Sequence, residues 1–449
     1  MEQNLFEQLT ELLNGAALPG LRAALLEMNV VDIARFFEEL ETREQILLVF
    51  RLLSKDQSAD VFSYLDTEHQ QTIIESISDK ELNGIVSDLF IDDAVDILEE
   101  LPANVVKRVL RNTDEQTRKV INEFLKYPEQ SAGSIMTIEY VDLREEYTAE
   151  EALNRIRHTG VDKETIYTCY VTDSRKKLRG ILALHKLLMA DDKTLIRDVM
   201  DENIQFAHTL DDQESVIGIM REYDLLAIPI VDNEDRLVGI VTVDDALDVQ
   251  EEEATEDFEL MAAVLPSETP YLRTGVLLMA KNRAPWLLIL MLTATITATI
   301  INAFEDALAV LPALVAFIPM LMDTGGNAGC QTSTLVIRGM AVGDIELSDI
   351  LRVVWKELRV SLLCGSMLVA VNLVRILIFQ RQSLYLIITI SLTLYATVIM
   401  AKTIGCTLPM VAKKLRLDPA VMASPVITSI VDAGALLVYF TLAKTIIGI

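Results

Sequence analysis

Ser424, Thr428 and Asp432 lie four residues apart in SPVITSIVD. On a helix they make one column of hydroxyl, hydroxyl and carboxylate. Hard oxygens so arranged suit a hydrated Mg2+ or Ca2+ and not a soft metal. The column interrupts an apolar run covering residues 420–449. A charge at the bilayer centre costs about 2.5–3.5 kcal/mol on insertion scales, so it persists only where it faces a bundle interior or water. Asp432 is therefore expected to be a pore or transport ligand. The bland alternative is a carboxyl that is protonated, or hydrogen-bonded to Ser429 or Thr428. Pro419 and Pro425 weaken the helix ahead of Asp432 and free backbone carbonyls.

Such a column needs a bundle around it. Five apolar stretches cover about residues 284–303, 308–337, 360–379, 384–411 and 420–449, and a spanning helix needs about 20 apolar residues. The second stretch is interrupted by DTGGNAGCQTST. It spans only if that part is buried in protein or lines water. Gly325 and Gly329 form a GxxxG that would pack helices closely. Asn327 and Gln331 add polar groups that lipid would penalise, and all four are expected to line a pore. Lys402 and Arg375, inside apolar stretches, are expected to snorkel to the membrane faces. Lys281, Arg283, Arg338, Arg352, Lys356, Arg359, Lys413, Lys414 and Arg416 fall on one side of the five spans. The positive-inside rule then puts the N-terminus in the cytoplasm and the C-terminus outside.

The chain carries a formal net charge of −28, unevenly spread. Residues 1–270 hold 58 acidic and 25 basic side chains, and residues 271–449 hold 9 and 14, for nets of −33 and +5. So acidic a half excludes nucleic acid as a partner, since phosphate binding needs a basic face. Divalent cations are the expected partners. The acids singled out are Asp92, Asp93 and Asp96 in IDDAVDILEE, with Glu214, Asp224, Asp245, Asp248, Glu253, Glu256 and Asp257. Each alone reads as a wet helix face. Together they make the compact arrangement self-repelling, and bound Mg2+ would relieve that. Four scattered histidines argue against zinc, and four separated cysteines against a disulfide framework.

Two repeats organise the acidic half. Leu40, Leu53, Leu65, Ile77, Leu89 and Leu101 recur every 12 or 13 residues, with Ser54, Thr67 and Ser78 placed to cap the next helix. Short helices at fixed spacing stack into an α-solenoid. Further on, Asp173 and Gly180 recur as Asp232 and Gly239, each 59 residues later. Each copy reads strand, helix, strand, turn, strand, helix, and the pair resembles tandem CBS domains.

The order of acidic helical domain, CBS pair, acidic connecting helix and apolar spans, with DPAVMASPVITSIVD and GGNAGCQTSTLVIRG, resembles the MgtE family of magnesium channels. The resemblance covers essentially the whole chain. It implies an α-solenoid N domain over 1–128, α+β CBS domains over 129–192 and 193–250, a connecting plug helix over 251–280 and a five-helix all-α transmembrane domain over 281–449. It implies a non-enzymatic homodimer in the plasma membrane. Its pore would lie on the two-fold axis, with Asp432 of each subunit contacting hydrated Mg2+ and Ser424 and Thr428 lining that site. The acids named above would bind regulatory Mg2+ and close the pore when cytosolic Mg2+ is high. An ATP site would form in the CBS pair, but this chain has His185-Lys186 where the family has an Arg-Asp pair, so the acidic ribose partner is missing. The expected function is Mg2+ import by a channel. The alternatives are a coupled transporter or exporter of divalent cations, disfavoured by the lack of a repeat between spans, and a non-transporting membrane sensor.

Overall fold

The computed structural model describes residues 2–40, 42–267, 271–272, 274–379, 383–422 and 424–448. They divide into two compact units, Met1–Gln250 and Glu251–Ile449.

The first unit begins with ten helices, α1 (Glu2–Asn14) to α10 (Glu115–Phe124). Each is about ten residues, too short to be stable alone, so each relies on its neighbours. The helices α3 (Val30–Phe37), α5 (Lys55–Ser63), α7 (Asp79–Asp88) and α9 (Ala103–Asn112) stack on one another in that order. The intervening α4 (Arg43–Leu52) and α6 (Thr67–Ser76) do likewise, giving two layers. Leu40, Leu53, Leu65, Ile77 and Leu101 are buried at the ends of helices, and Leu89 is half-buried. Ser54 and Ser78 each form a reciprocal capping box, with Gln57 and Glu81. Thr67 does not cap: Asp66 accepts from the His69 N–H and Thr67 is already helical. An aspartate one position earlier reaches the orphan donors first.

Two three-stranded sheets follow. The first copy comprises β1 (Val141–Arg144), α11 (Ala149–Thr159), β2 (Thr168–Thr172), β3 (Leu178–Ala183) and α12 (Leu184–Met189). The second comprises α13 (Ile196–Val199), β4 (Ala207–His208), α14 (Gln213–Glu222), β5 (Ala227–Val231) and β6 (Leu237–Thr242), and α15 (Val243–Met261) follows it. In each sheet the first two strands run parallel and the last two antiparallel. The register shifts at Val171/Thr172 and again at Ile230/Val231, 59 residues on.

The recurring residues now have physical reasons. Asp173 Oδ1 accepts from the Arg175 and Lys177 amides, and Asp232 Oδ1 from those of Glu234 and Arg236, which sets both hairpins. A Cβ on Gly180 would lie 2.6 Å from Met200 Sδ, and one on Gly239 2.7 Å from the Thr137 carbonyl oxygen. The segment entering each copy crosses the last strand of the other there: Thr137 pairs with Ile240, and Asp201 with Ile181.

The second unit is helical. Beyond α15 it contains α16 (Val276–Ala303), α17 (Glu305–Val310), α18 (Ile318–Ala341), α19 (Ile350–Phe379), α20 (Leu384–Lys414) and α21 (Ser424–Ile447). The hub is α20, which packs on α18, α19 and α21. At one end Leu314, Phe317, Leu321, Ile390, Leu394 and Phe440 form the core, where the Tyr439 hydroxyl donates to the Leu314 carbonyl at 3.0 Å. At the other, Val336, Met340, Cys406 and Met410 do so.

Among the described residues four segments are long and apolar enough to cross a membrane: Val276–Ala303, Leu347–Phe379, Leu384–Lys414 and Ala420–Ile447. The expected fifth, α18, does not reach that apolarity, because it contains DTGGNAGCQTST. Its Gly325, Gly326, Ala328, Gly329, Thr332 and Ser333 are instead buried. Nor do residues 308–322 form one helix. The chain turns at Leu311, makes a 3-10 turn over Pro312–Phe317 and enters α18 with Pro319 in its first turn, as proline there allows.

Lys402 does not snorkel. Lys402 is 6% exposed, and its Nζ lies 3.1 Å from Thr332 Oγ1 and 3.7 Å from Glu357 Oε2. Arg375 donates to Asn372 Oδ1 at 2.9 and 3.1 Å and lies over the Phe317 ring. Both find partners inside the protein, and the Lys402 charge is better compensated there than by stretching past lipid.

Candidate functional site

On α21, Thr428 and Asp432 fall one turn apart and are half-buried. Oδ1 of Asp432 is buried and has no hydrogen-bond partner. Ser429 does not serve it: its hydroxyl donates to the Pro425 carbonyl at 3.0 Å and accepts from Thr293. Asp323, on α18, is the carboxylate whose field acts on Asp432. Thr428 Oγ1 lies 3.5 Å from Cys330 Sγ, and its methyl would lie 3.0 Å from a Cβ on Gly326. The side chain of Ser424 lies outside the described residues.

The four candidate lining residues of α18 separate onto two faces. Asn327 and Gln331 are exposed and follow Asp323 at intervals of four, so the three form a polar stripe. Gly325 and Gly329 are buried on the other side. A Cβ on Gly325 would lie 2.7 Å from Thr397 Cγ2, and one on Gly329 2.7 Å from Ile427 Cγ2. These glycines bring α18 against α20 and α21. Gly325 and Gly329 pack, and the open face carries Asn327 and Gln331.

In the first unit, α8 (Ile91–Glu100) turns Asp92 and Asp93 toward the start of α15. Asp92 is 7% exposed; burial, then Asp245 and Asp93, hold its carboxyl well above the usual range. Burial, then Asp245 and Asp60, push Asp93 up to about 6. Burial also raises Asp245 to about 6, although the Thr242 hydroxyl donates to it. Asp248 is exposed, and its charge acts on Asp245 and Tyr64. Asp96, Glu214 and Asp224 are exposed.

In the second unit Glu253, Glu256 and Asp257 are half-buried. Burial, then Asp418, Glu253 and Glu256, push Asp257 up to about 6. Among the described residues no three acidic, His or Cys side chains converge closely enough to hold a metal. What the fold provides is carboxylates held near one another at an electrostatic cost.

Sequence reasoning missed four partners. Glu164, just before β2, is raised to about 7 by burial, then by Asp244 and Asp245, and its Oε2 is buried without a partner. Asp60 faces Asp93. Asp418 faces Asp257, and its place in DPA, ahead of the Asp432 helix, was the available signal. Asp323, alone in its stretch, would have been found by extending the Asn327–Gln331 spacing back one turn.

Comparison with known proteins fits this arrangement. A Thermus thermophilus protein named magnesium transporter MgtE is 36% identical over 451 residues, covering 100% of this chain and 99% of its own. This chain belongs to the MgtE family. The MgtE of Bacillus subtilis is 31% identical, covering 97% of this chain and 96% of its own. Family models match in three places: the MgtE intracellular N domain at residues 28–130, a CBS domain at 196–252, and the MgtE divalent cation transporter domain at 318–442. The last contains α18, Asp418 and Asp432. The crystal structure of the soluble part of a magnesium transporter is 30% identical, covers 57% of this chain and 100% of that one, and superposes with a TM-score of 0.54. The cytosolic domain of the Mg2+ channel MgtE in complex with ATP is 38% identical, covers 54% and 99%, and gives 0.52. In this chain the matched N domain and CBS domain precede the matched transporter domain.

Proposed function

We propose that this chain is a Mg2+-selective channel of the plasma membrane that admits Mg2+ to the cytoplasm and is closed by cytosolic Mg2+. The observation that carries the reading is Asp432: a carboxylate on a helix of spanning length, with one buried oxygen lacking any partner. A hydrated Mg2+ would satisfy that oxygen through a water while keeping most of its shell, as Mg2+ prefers. Thr428, with Ser424 a turn earlier, would continue the lining, and Asn327 and Gln331 would face the same path. Two copies related by a two-fold axis would cover the exposed α18 stripe and place two Asp432 carboxylates around one ion. Transport by the full-length MgtE relatives supports magnesium as the cargo.

Closure follows from the strained acids. Asp92, Asp93, Asp245 and Glu164 in one unit, and Asp257 with Asp418 in the other, would each gain from a divalent cation or its waters. Mg2+ shifts the open–closed balance only by its differential affinity for the closed form. Going from 1:99 to 99:1 needs about 5.5 kcal/mol of that difference, which several weak sites acting together would supply. The domain limits named from the sequence serve this scheme, with the acidic part of α15 and residues up to 280 as the plug. The N-terminus would face the cytoplasm and the C-terminus the outside. ATP has weaker support: His185 and Lys186 are exposed on α12 and offer no acid to a ribose.

The test is divalent flux into liposomes containing only the purified protein, with internal Mg2+ varied. Flux that runs down its own gradient and stops at high internal Mg2+ is expected. Flux that requires a proton or Na+ gradient supports coupled transport instead, and absent flux supports the sensor.

A further inference from the structure

Thr332, Lys402 and Glu357 form a buried polar knot linking three helices of the membrane unit. Thr332 Oγ1 donates to Glu357 Oε2 at 3.0 Å and accepts from Lys402 Nζ at 3.1 Å, and Nζ and Oε2 are 3.7 Å apart. The side chains of Lys402 and Glu357 are only 8% and 14% exposed. One residue comes from each of α18, α19 and α20. Near by, Gly405 of α20 meets Gly329 of α18 backbone to backbone, which fixes how closely the two helices approach. The glycine contact sets the spacing of the two helices. A hydroxyl that donates one way and accepts the other adds a directional tie. With both charged side chains largely withdrawn from solvent, the alternative to this geometry is a poorly compensated charge, so the knot is a two-way constraint on α18.

The consequence lies on the opposite face of the helix. Thr332 directly follows Gln331, the last member of the exposed Asp323, Asn327 and Gln331 stripe. Whatever fixes the height and roll of Thr332 fixes that stripe relative to α21, where Asp432 sits. We infer that the Lys402–Glu357 pair, through Thr332, is a positioning device for the ion pathway that sets the alignment of Asn327 and Gln331 with Asp432, and with it ion selectivity. This rests on the channel reading above.

The experiment compares Mg2+ and Ca2+ flux per folded protein in liposomes for the wild type and three variants. Lys402→Met alone leaves Glu357 unpaired and should lower the yield of folded protein, so it is not decisive. The double variant Lys402→Met with Glu357→Leu removes the charges together, which the bundle should tolerate. It is expected to insert normally yet to shift the Mg2+ to Ca2+ flux ratio at least five-fold. The exchange variant, Lys402→Glu with Glu357→Lys, should bring the ratio back toward the wild-type value. A knot that only stabilises would change yield and leave the ratio alone. The inference is overturned if the well-folded double variant keeps both its flux and its ratio within two-fold of the wild type. If the wild type itself carries no Mg2+, the channel reading has failed instead.

Discussion

Gly405 and Gly329 meet where α20 crosses α18, so closely that a Cβ on Gly405 would collide with the Gly329 carbonyl oxygen. That obstacle is backbone, not the end of a flexible side chain. Gly405→Ala must therefore push the helices apart, at a cost of about 1–3 kcal/mol for overpacking. It should lower the melting temperature of the full chain in detergent, whereas Gly84→Ala should not. Gly84 is inside α7 with nothing near its missing Cβ, and alanine there should stabilise by about 0.5–1 kcal/mol. Thermal unfolding followed by fluorescence checks both.

Asp432→Ala should reduce Mg2+ flux to the level of empty liposomes while leaving membrane insertion unchanged. Undiminished flux from that variant removes Asp432 from the pathway.

Neutralising Asp245, Asp248, Glu253 and Glu256 together, to the corresponding amides, should leave the channel open at internal Mg2+ that closes the wild type. Patch recordings with Mg2+ on the cytoplasmic side would detect it. Normal closure would place the sensor elsewhere.

The pH dependence has a definite sign. Asp93 and Asp245 are raised to about 6 and Glu164 to about 7 in the folded chain, mainly by burial. A carboxyl whose folded value lies above its unfolded one favours folding when protonated. Its contribution is present below about pH 4 and is lost as pH rises through about 6 to 7. In EDTA the full chain should therefore melt at a lower temperature at pH 7.5 than at pH 5.5. Saturating Mg2+ should remove most of that difference. Equal melting temperatures in EDTA would mean that these acids carry no folding strain.

His185→Arg with Lys186→Asp supplies the acidic partner that a ribose needs. ATP affinity of the purified chain, measured by calorimetry, should rise about ten-fold or more. Unchanged affinity would show that those positions do not decide nucleotide binding here.

How much was legible depended on how local the cause was. The 59-residue echo was readable because each Asp sets a hairpin within its own copy, and each Gly admits the segment that enters the other copy, so both copies keep the same residues at the same places. Asp432 was readable because one carboxylate in an apolar run is conspicuous. Lys402 was misread for the same reason: its partner Glu357 lies 45 positions earlier in a stretch rich in charges, so no spacing links them. The raised acids behaved similarly, since Glu164 gains meaning only when folding brings α15 beside it. The face of α18 that packs and the face that stays open were readable together but not separable, because glycines and amides alternate along it.

The exchanged crossings between the two CBS copies, Thr137 with Ile240 and Asp201 with Ile181, make each half the other's template. Cutting the chain between them, or deleting one, strips the survivor's outermost strand of its partner and bares an adhesive edge. Neither copy can then serve as a portable module.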